Sequence, residues 1–295
     1  MNASVRLKQH CSKKRVCLSQ AGKGQWRQYH TRRNAYANTR KHLYHPDLER
    51  AKYMEDVYHI LARKALLGAK ELTQDSRDEN RRVKLEKKPY GRYMVGIVGM
   101  PGSGKSTLAR NVAQIINSIQ EDTCAVVLPM DGYHYTKAAL DEFDDPEEAH
   151  ARRGAPWTFD AQAFVDTVVM VADRCHRVDN IWAPTFDHRH GDPVDKGVCI
   201  APYHSIVLVE GNYLLLEQPP WNALRDVFHE TWYIDCDMEE SLRRVFHRQT
   251  RNGAPARVAR HRIETNDRLN AMDIYETADA ANVMIPSLPF STRRR

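Results

Sequence analysis

A chain of 295 residues, 42% hydrophobic and 28% charged, holds enough apolar material for one large or two small folded domains. No apolar run approaches the roughly 18 residues that span a bilayer, so no membrane helix is expected. The net charge of +6 is uneven: residues 1–53 carry 13 Lys/Arg against Asp47 and Glu49, whereas 54–295 carry 31 basic and 36 acidic side chains. A mildly acidic body is the wrong surface for neutralising phosphates along a strand, which argues against a nucleic-acid partner.

In chain order, residues 1–53 form a basic extension with no acid before Asp47. That composition fits a mitochondrial transit peptide, a disordered tail or a stretch ahead of a true start at Met54. The expected location is the cytoplasm, or the mitochondrion if 1–53 directs import. The six cysteines (Cys11, Cys17, Cys124, Cys175, Cys199, Cys236) form no CxxC pair, as expected of thiols in a reducing compartment. From Met54, the spacing of Val57, Ile60, Leu61, Ala65 and Leu67 predicts an amphipathic helix over 54–71. Residues 72–91, almost wholly polar, read as a linker that closes a 54–91 segment, and 92–290 reads as the main domain.

The main domain alternates strand and helix patterns, which predicts a parallel α/β sheet. Strands are expected at 93–98, 124–130, 205–209, 230–235 and 282–285, with 181–186 as a further candidate. Helices are expected at 105–119, 161–177, 238–250 and 257–271. Pro129 cannot donate to a ladder, so the second strand belongs at a sheet edge.

Between the first strand and its helix lies Gly99-x4-Gly104-Lys105-Ser106. A glycine-rich turn from strand to helix lets successive backbone N–H groups and the helix N-terminus face phosphate oxygens. Gly99, Pro101, Gly102, Ser103, Gly104, Lys105, Ser106 and Thr107 are therefore the candidate ATP-binding residues. Lys105 is expected to reach the β/γ-phosphates, and the Ser106 hydroxyl to coordinate Mg²⁺.

The DxxG and NKxD elements of GTPases occur nowhere in the chain. Asp131 and Glu210 each follow an apolar strand, and ligands of open α/β sheets sit outside the carboxyl ends of strands. One carboxylate would serve the metal and the other would accept the proton of an attacking hydroxyl.

Five segments carry a resemblance. They are 98–106; Pro-Met-Asp-Gly-Tyr-His at 129–134; Arg-Arg-Gly-Ala-Pro-Trp-Thr-Phe-Asp at 152–160; Pro-Thr-Phe-Asp-His at 184–188; and Val-Glu-Gly-Asn-Tyr-Leu-Leu-Leu at 209–216. In colinear order from about 54 to 285, the chain resembles the phosphoribulokinase/uridine kinase family of P-loop kinases, especially a fungal and bacterial branch related to pantothenate kinase. The resemblance implies Asp131 as base, Glu210 as the acid of the Walker-B-like strand and metal ligand, and acceptor contacts at Arg153, Asp187 and Tyr133. It also implies an arginine-bearing lid at about 243–258, with Arg248 and Arg251 as its catalytic candidates and Arg244 one turn before Arg248. The 152–160 segment departs from the short acidic-aromatic segment of uridine kinases proper, so a nucleoside acceptor is not implied.

Weaker signals remain. His188-x-His190 beside Asp187 and Asp192 reads as a structural or substrate-side loop rather than a zinc site. Tyr133, Trp157, Phe159 and Phe186 read equally as pocket wall or core. Asn266-Asp267 matches the branch without an assigned role, and adenine is expected near Pro286. Together these readings predict a three-layer P-loop NTPase fold with a five-stranded parallel sheet, an acceptor-side insertion at 132–200 and a helical lid. The expected reaction is ATP- and Mg²⁺-dependent phosphoryl transfer to a hydroxyl of a small metabolite such as a sugar, a pantothenate-like acid or a nucleoside. An ATP-hydrolysing regulatory protein without an acceptor is the alternative, and a degenerate kinase kept as a binding module a third. Neither monomer nor homodimer is excluded.

Overall fold

The computed structural model describes residues 44–75, 91–119, 124–173, 179–187 and 189–291. The chain divides into two units, 1–41 and 42–295. Only the second contains described residues. The basic stretch before Tyr44, residues 76–90 of the expected linker 72–91, and His188 lie outside them; residues 72–75 of that linker instead continue the helix from Met54, and the helix expected at 161–177 stops at Ala172, where Asp173 turns extended.

Five parallel strands form the central sheet: β1 (Tyr93–Val98), β2 (Cys124–Pro129), β5 (His204–Gly211), β6 (Glu230–Asp235) and β7 (Val283–Pro286), in the spatial order β2-β5-β1-β6-β7. Their near-continuous Val/Ile/Leu content suits strands covered on both faces. β2 does lie at an edge, paired only with β5 through Pro129↔Glu210, so its proline interrupts no second ladder. A separate antiparallel hairpin, β3 (Ile181–Asp187) and β4 (Asp192–Ile200), forms a second small sheet. β4 is an addition to the sequence expectation; its central residues are exposed and polar, so no apolar run betrays it.

One face of the main sheet is covered by two helices. The first, α2 (Met54–Asp75), is preceded by a short helix α1 (Pro46–Glu49), and the second is α3 (Lys105–Ile119). Val57, Leu61 and Ala65 of α2 and Leu108, Val112 and Ile116 of α3 share one buried cluster with Val95, Ile97, Ile206, Leu208, Trp232 and Ile234. The i, i+4 spacing of those side chains is what commits each helix to that face. Leu48 of α1, only 1% exposed, belongs to the same cluster, and Tyr44 makes a bridge to Met284 of β7. Part of the stretch read above as basic extension thus packs on the sheet core, through Leu48 and Ala51.

After β2 comes a 3₁₀ turn (Met130–Tyr133), and two short helices follow it: α4 (Lys137–Leu140) and α5 (Pro146–Ala151). The longer α6 (Ala161–Ala172) is capped by Asp160, whose carboxylate accepts from Ala163 N. Rings of Phe159, Phe164, Tyr213 and Trp221 pack against one another beneath this layer, with centroids 5.7–6.3 Å apart.

After β6, helix α7 (Met238–Arg251) begins at an Asp237 cap that accepts from Glu239 N and Glu240 N. It ends at Gly253, in the left-handed conformation usual beyond a helix terminus. A second helical run then rises through α8 (Ala256–Arg262), a π-helical turn (Ile263–Asp267) and α9 (Arg268–Glu276). It overruns the helix expected at 257–271 and is interrupted by the wider turn. No helix among the described residues is long and apolar enough to cross a membrane.

Candidate active site

The registers Val98↔Gly211 and Pro129↔Glu210 bring the carboxyl ends of β1, β5 and β2 level. The loop 99–104 leaves β1 at this edge, Glu210 lies next to last in β5, and Asp131 comes after β2 in the 3₁₀ turn. Three chemical groups far apart in sequence therefore meet along one rim, at the position where open α/β sheets bind ligands.

Backbone geometry shapes the loop as a phosphate cradle. Gly102 and Gly104 adopt φ of 84° and 103°, a region that side chains disfavour. A Cβ on Gly102 would meet the Ser241 carbonyl at 2.3 Å, because the first turns of α7 press on the loop from behind. A Cβ on Gly104 would meet nothing within 4 Å: the loop's inner side is open. Ser103 N donates to Met100 O at 3.0 Å to close the turn, and the buried Ser241 hydroxyl donates to Pro101 O at 2.7 Å. Lys105 opens α3, and its ammonium donates to the Gly99 and Met100 carbonyls at 2.8 and 3.2 Å. Thr107 lies in the same first turn, where its carbonyl accepts from Asn111 Nδ2.

Ser106 Oγ donates to Glu210 Oε1 at 2.8 Å. Burial and the neighbouring Asp131 carboxylate push Glu210 up to about 7, against the pull of Lys105 and the Ser106 hydroxyl. Burial likewise lowers the Lys105 ammonium, opposed by Glu210 and Asp131 and assisted by Arg248. The four groups share one electrostatic environment. A hydroxyl and a carboxylate, side by side at the head of the P-loop helix, form an oxygen donor pair of the kind a hard cation takes, so these residues fit Mg²⁺.

Of the two lid candidates, Arg248 is the one whose field reaches Lys105. Arg251 is exposed on the last turn of α7. Arg244, one turn earlier, pairs with Glu240 at 2.8 Å and reaches toward Ser287, just past β7.

The acceptor-side candidates are placed differently from one another. Arg153 is engaged within the protein: its guanidinium donates to Gly191 O, to Tyr135 O and to Asp192 Oδ1 (2.7 Å for the last two), and lies 5.6 Å over the Phe186 ring. It ties the β3–β4 hairpin to the segment after the 3₁₀ turn. Asp187 closes that hairpin: it accepts from Arg189 N and from His190 Nδ1 at 2.6 Å, and these bonds hold its carboxyl down to about 2. Tyr133 is buried with its ring edge-on to Phe164. Phe159 is core, Trp157 is 47% exposed, and Phe186 lies against His134 with ring centroids 4.8 Å apart.

Several participants had no role assigned by the sequence reading. His134 Nδ1 lies 2.8 Å from the Asp131 carbonyl and fixes the turn that presents Asp131. Arg152 Nε donates to Asn266 Oδ1 at 3.1 Å, Asn270 Nδ2 donates to the same oxygen at 3.1 Å, and Asn266 Nδ2 donates to Arg153 O at 2.8 Å. The Tyr213 hydroxyl donates to Gly154 O at 2.6 Å. The four-residue spacing of Asn266 and Asn270 is the one signal that could have exposed this network, since it puts both amides on one helix face.

No family model matches the chain. It is 37% identical over 215 residues to a Schizosaccharomyces pombe protein named as a candidate uridine kinase, an alignment covering 72% of this chain and 90% of that one. It is 30% identical over 235 residues to the ATP-dependent kinase YFH7 of Lachancea thermotolerans, covering 68% and 67%. A solved structure from a Silicibacter species, described as a candidate fructose transport system kinase, superposes with a TM-score of 0.59 at 28% identity over 66% of this chain and 89% of that one. With the glycine cradle, the level strand ends and these relatives together, the chain belongs to the uridine-kinase-like family of P-loop kinases.

Proposed function

We propose that this protein transfers the γ-phosphoryl group of ATP to a hydroxyl of a small metabolite. The observation that carries the reading is the convergence of Lys105, Ser106, Glu210 and Asp131 on one rim, each coupled electrostatically or by hydrogen bond to another. The N–H groups of Gly102 and of 104–106 grip the phosphates, and Lys105 leaves its carbonyl partners to neutralise β/γ charge. Ser106 and Glu210 would hold Mg²⁺, which would supply positive charge to screen the phosphate oxygens. Asp131 orients the acceptor hydroxyl and takes its proton, and Arg248 counters charge on the transferring group. The lid excludes water, so that the metabolite and not solvent is the acceptor.

In this reading 92–290 is the catalytic domain, Arg153 and Asp187 shape the acceptor wall by holding the hairpin, and Tyr133 packs beneath it. We place the enzyme in the cytoplasm, or in the mitochondrion if 1–53 directs import. The test is ADP release in a coupled assay against a panel of sugars, pantothenate-like acids and nucleosides. One class is expected to raise ADP release well above basal hydrolysis and to yield a phosphomonoester by mass spectrometry. A flat panel with steady basal hydrolysis would favour the acceptor-free ATPase instead.

A further inference from the structure

Two adjacent arginines on the acceptor side are held in opposite ways. Arg153 is buried and engaged within the protein, by an ion pair to Asp192 and by bonds to the Gly191 and Tyr135 carbonyls. Arg152 is half-buried, and among the described residues no carboxylate pairs with it. Its Nε donates to Asn266 Oδ1 at 3.1 Å and its Nη2 to Asn270 Oδ1 at 3.4 Å, while Nη1 bonds no described residue and is not enclosed. Both amides are fixed: they are 1% and 2% exposed, and Asn270 Nδ2 donates to Asn266 Oδ1. Asp267, next to Asn266, is engaged by α7 instead, where Gln249 Nε2 donates to its Oδ2 at 3.0 Å. Neutral amides orient a guanidinium without cancelling its charge, as a carboxylate would. What results is a preset fork with one edge open, the arrangement that takes a carboxylate or a phosphate.

The turn that bears Arg152 is pinned to both halves of the catalytic rim. The hydroxyl of Tyr213, which comes soon after Glu210 in the chain, donates to Gly154 O at 2.6 Å. Arg153 Nη2 donates to the carbonyl of Tyr135, which comes soon after Asp131, at 2.7 Å. Asn266 Nδ2 adds a third support by donating to Arg153 O at 2.8 Å. In the phosphotransfer reading Mg²⁺, Lys105 and Arg248 already meet the charge of the triphosphate, so Arg152 answers a charge that the nucleotide does not supply. We propose that Arg152 determines acceptor specificity: held by Asn266 and Asn270, it takes the carboxylate or phosphate of an anionic alcohol whose hydroxyl lies at Asp131. The reaction is unchanged: the acceptor oxygen bonds the γ-phosphorus, the bond from that phosphorus to the bridging oxygen breaks, and the hydroxyl proton passes to Asp131. The proposal rests on the phosphotransfer reading and narrows its acceptor to an acid.

The test is the coupled ADP-release assay on the full chain, with each acid set beside its uncharged counterpart: glycerate and glycerol, pantothenate and its alcohol, a hexose phosphate and the free hexose. In wild type, one acid should exceed its neutral partner about tenfold or more in kcat/KM, and the carboxylate and phosphate pairs separate the two anions. Arg152→Gln should raise KM for that acid about tenfold or more, hold kcat and KM for ATP within about threefold, and bring the pair toward parity. Arg152→Lys should recover part of the loss, since charge returns without the fork. Asn270→Asp leaves the arginine in place but sets a carboxylate against it. It should raise KM for the acid and not for the neutral partner, and it carries the test if Arg152→Gln fails to fold. A wild type that prefers the neutral alcohols overturns the proposal and leaves the kinase reading standing. So does an Arg152→Gln defect equal for both members of a pair, the sign of a merely structural role. ADP release that no compound accelerates sinks the kinase reading, and this proposal with it.

Discussion

The Ser106 hydroxyl donates to Glu210 Oε1 across 2.8 Å, linking residues 104 positions apart in the chain. The bond joins the first turn of the P-loop helix to the end of the neighbouring strand. It aligns the two candidate metal ligands before any nucleotide arrives. Preorganisation of this kind removes a cost that binding would otherwise meet.

Lys105→Ala and Asp131→Asn should fail differently. The first removes the cation proposed to face the phosphates and should abolish measurable turnover and weaken binding of a fluorescent ATP analogue. The second should lower kcat by about 10²–10⁴ while the analogue's Kd changes less than about threefold. Equal turnover in Asp131→Asn and wild type would show that another group handles the acceptor proton.

Ser241→Ala should destabilise the protein although it lies in no catalytic motif. Its buried hydroxyl supports the Pro101 carbonyl at 2.7 Å, and a buried acceptor left without its partner costs about 1–3 kcal/mol. Urea unfolding followed by tryptophan fluorescence measures this. A loss below about 0.5 kcal/mol would mean that water replaces the bond.

Trimming should have a threshold between residues 43 and 53. Deleting 1–43 leaves Tyr44, whose hydroxyl donates to the Asp235 carboxylate, and Leu48 in the core. Deleting 1–53 removes both, and loss of one buried leucine costs about 2–5 kcal/mol. Thermal melts of the two truncations and of full-length Leu48→Ala should place the longer truncation and the point variant together, below the shorter one. Equal melts for both truncations would show that α1 adds nothing to the core.

Stability should fall as the pH drops below about 6.5. Burial lowers His204, with Arg92 adding to the effect, and burial lowers His134 against the pull of Asp131. Both rings are therefore neutral in the fold, whereas the unfolded chain takes up protons near 6.5. The stabilisation is complete above that value and is lost as the pH falls toward the depressed folded values. His204→Asn keeps an acceptor for Ala201 N, now at 2.8 Å from His204 Nδ1, and should shrink the drop in Tm between pH 7.5 and 5.5. An unchanged drop would assign the effect to other groups.

The P-loop was legible because its backbone admits few residues: glycines at positive φ and a lysine at the helix start leave a pattern in any sequence. Asp131 and Glu210 were legible for a related reason, since each terminates an apolar run and so must sit at the sheet's rim. β4 was hidden because Asp195 and Lys196 at its centre face solvent and no core selects their neighbours. The π turn was hidden because its cause is tertiary: Asn266 bonds the Arg153 carbonyl, a residue 113 positions away. Ser241 was hidden for want of any local signature. Arg153 was visible as a residue but not as a tie, because Asp192 and Gly191 come to it only through the folding of the hairpin.

The β3–β4 hairpin shares no ladder with the five-stranded sheet. Its attachments are side-chain and backbone bonds such as Arg153 to Asp192 and Lys137 to Asp192. The hairpin can therefore change in length or composition without breaking a hydrogen-bond ladder of the sheet that carries the P-loop.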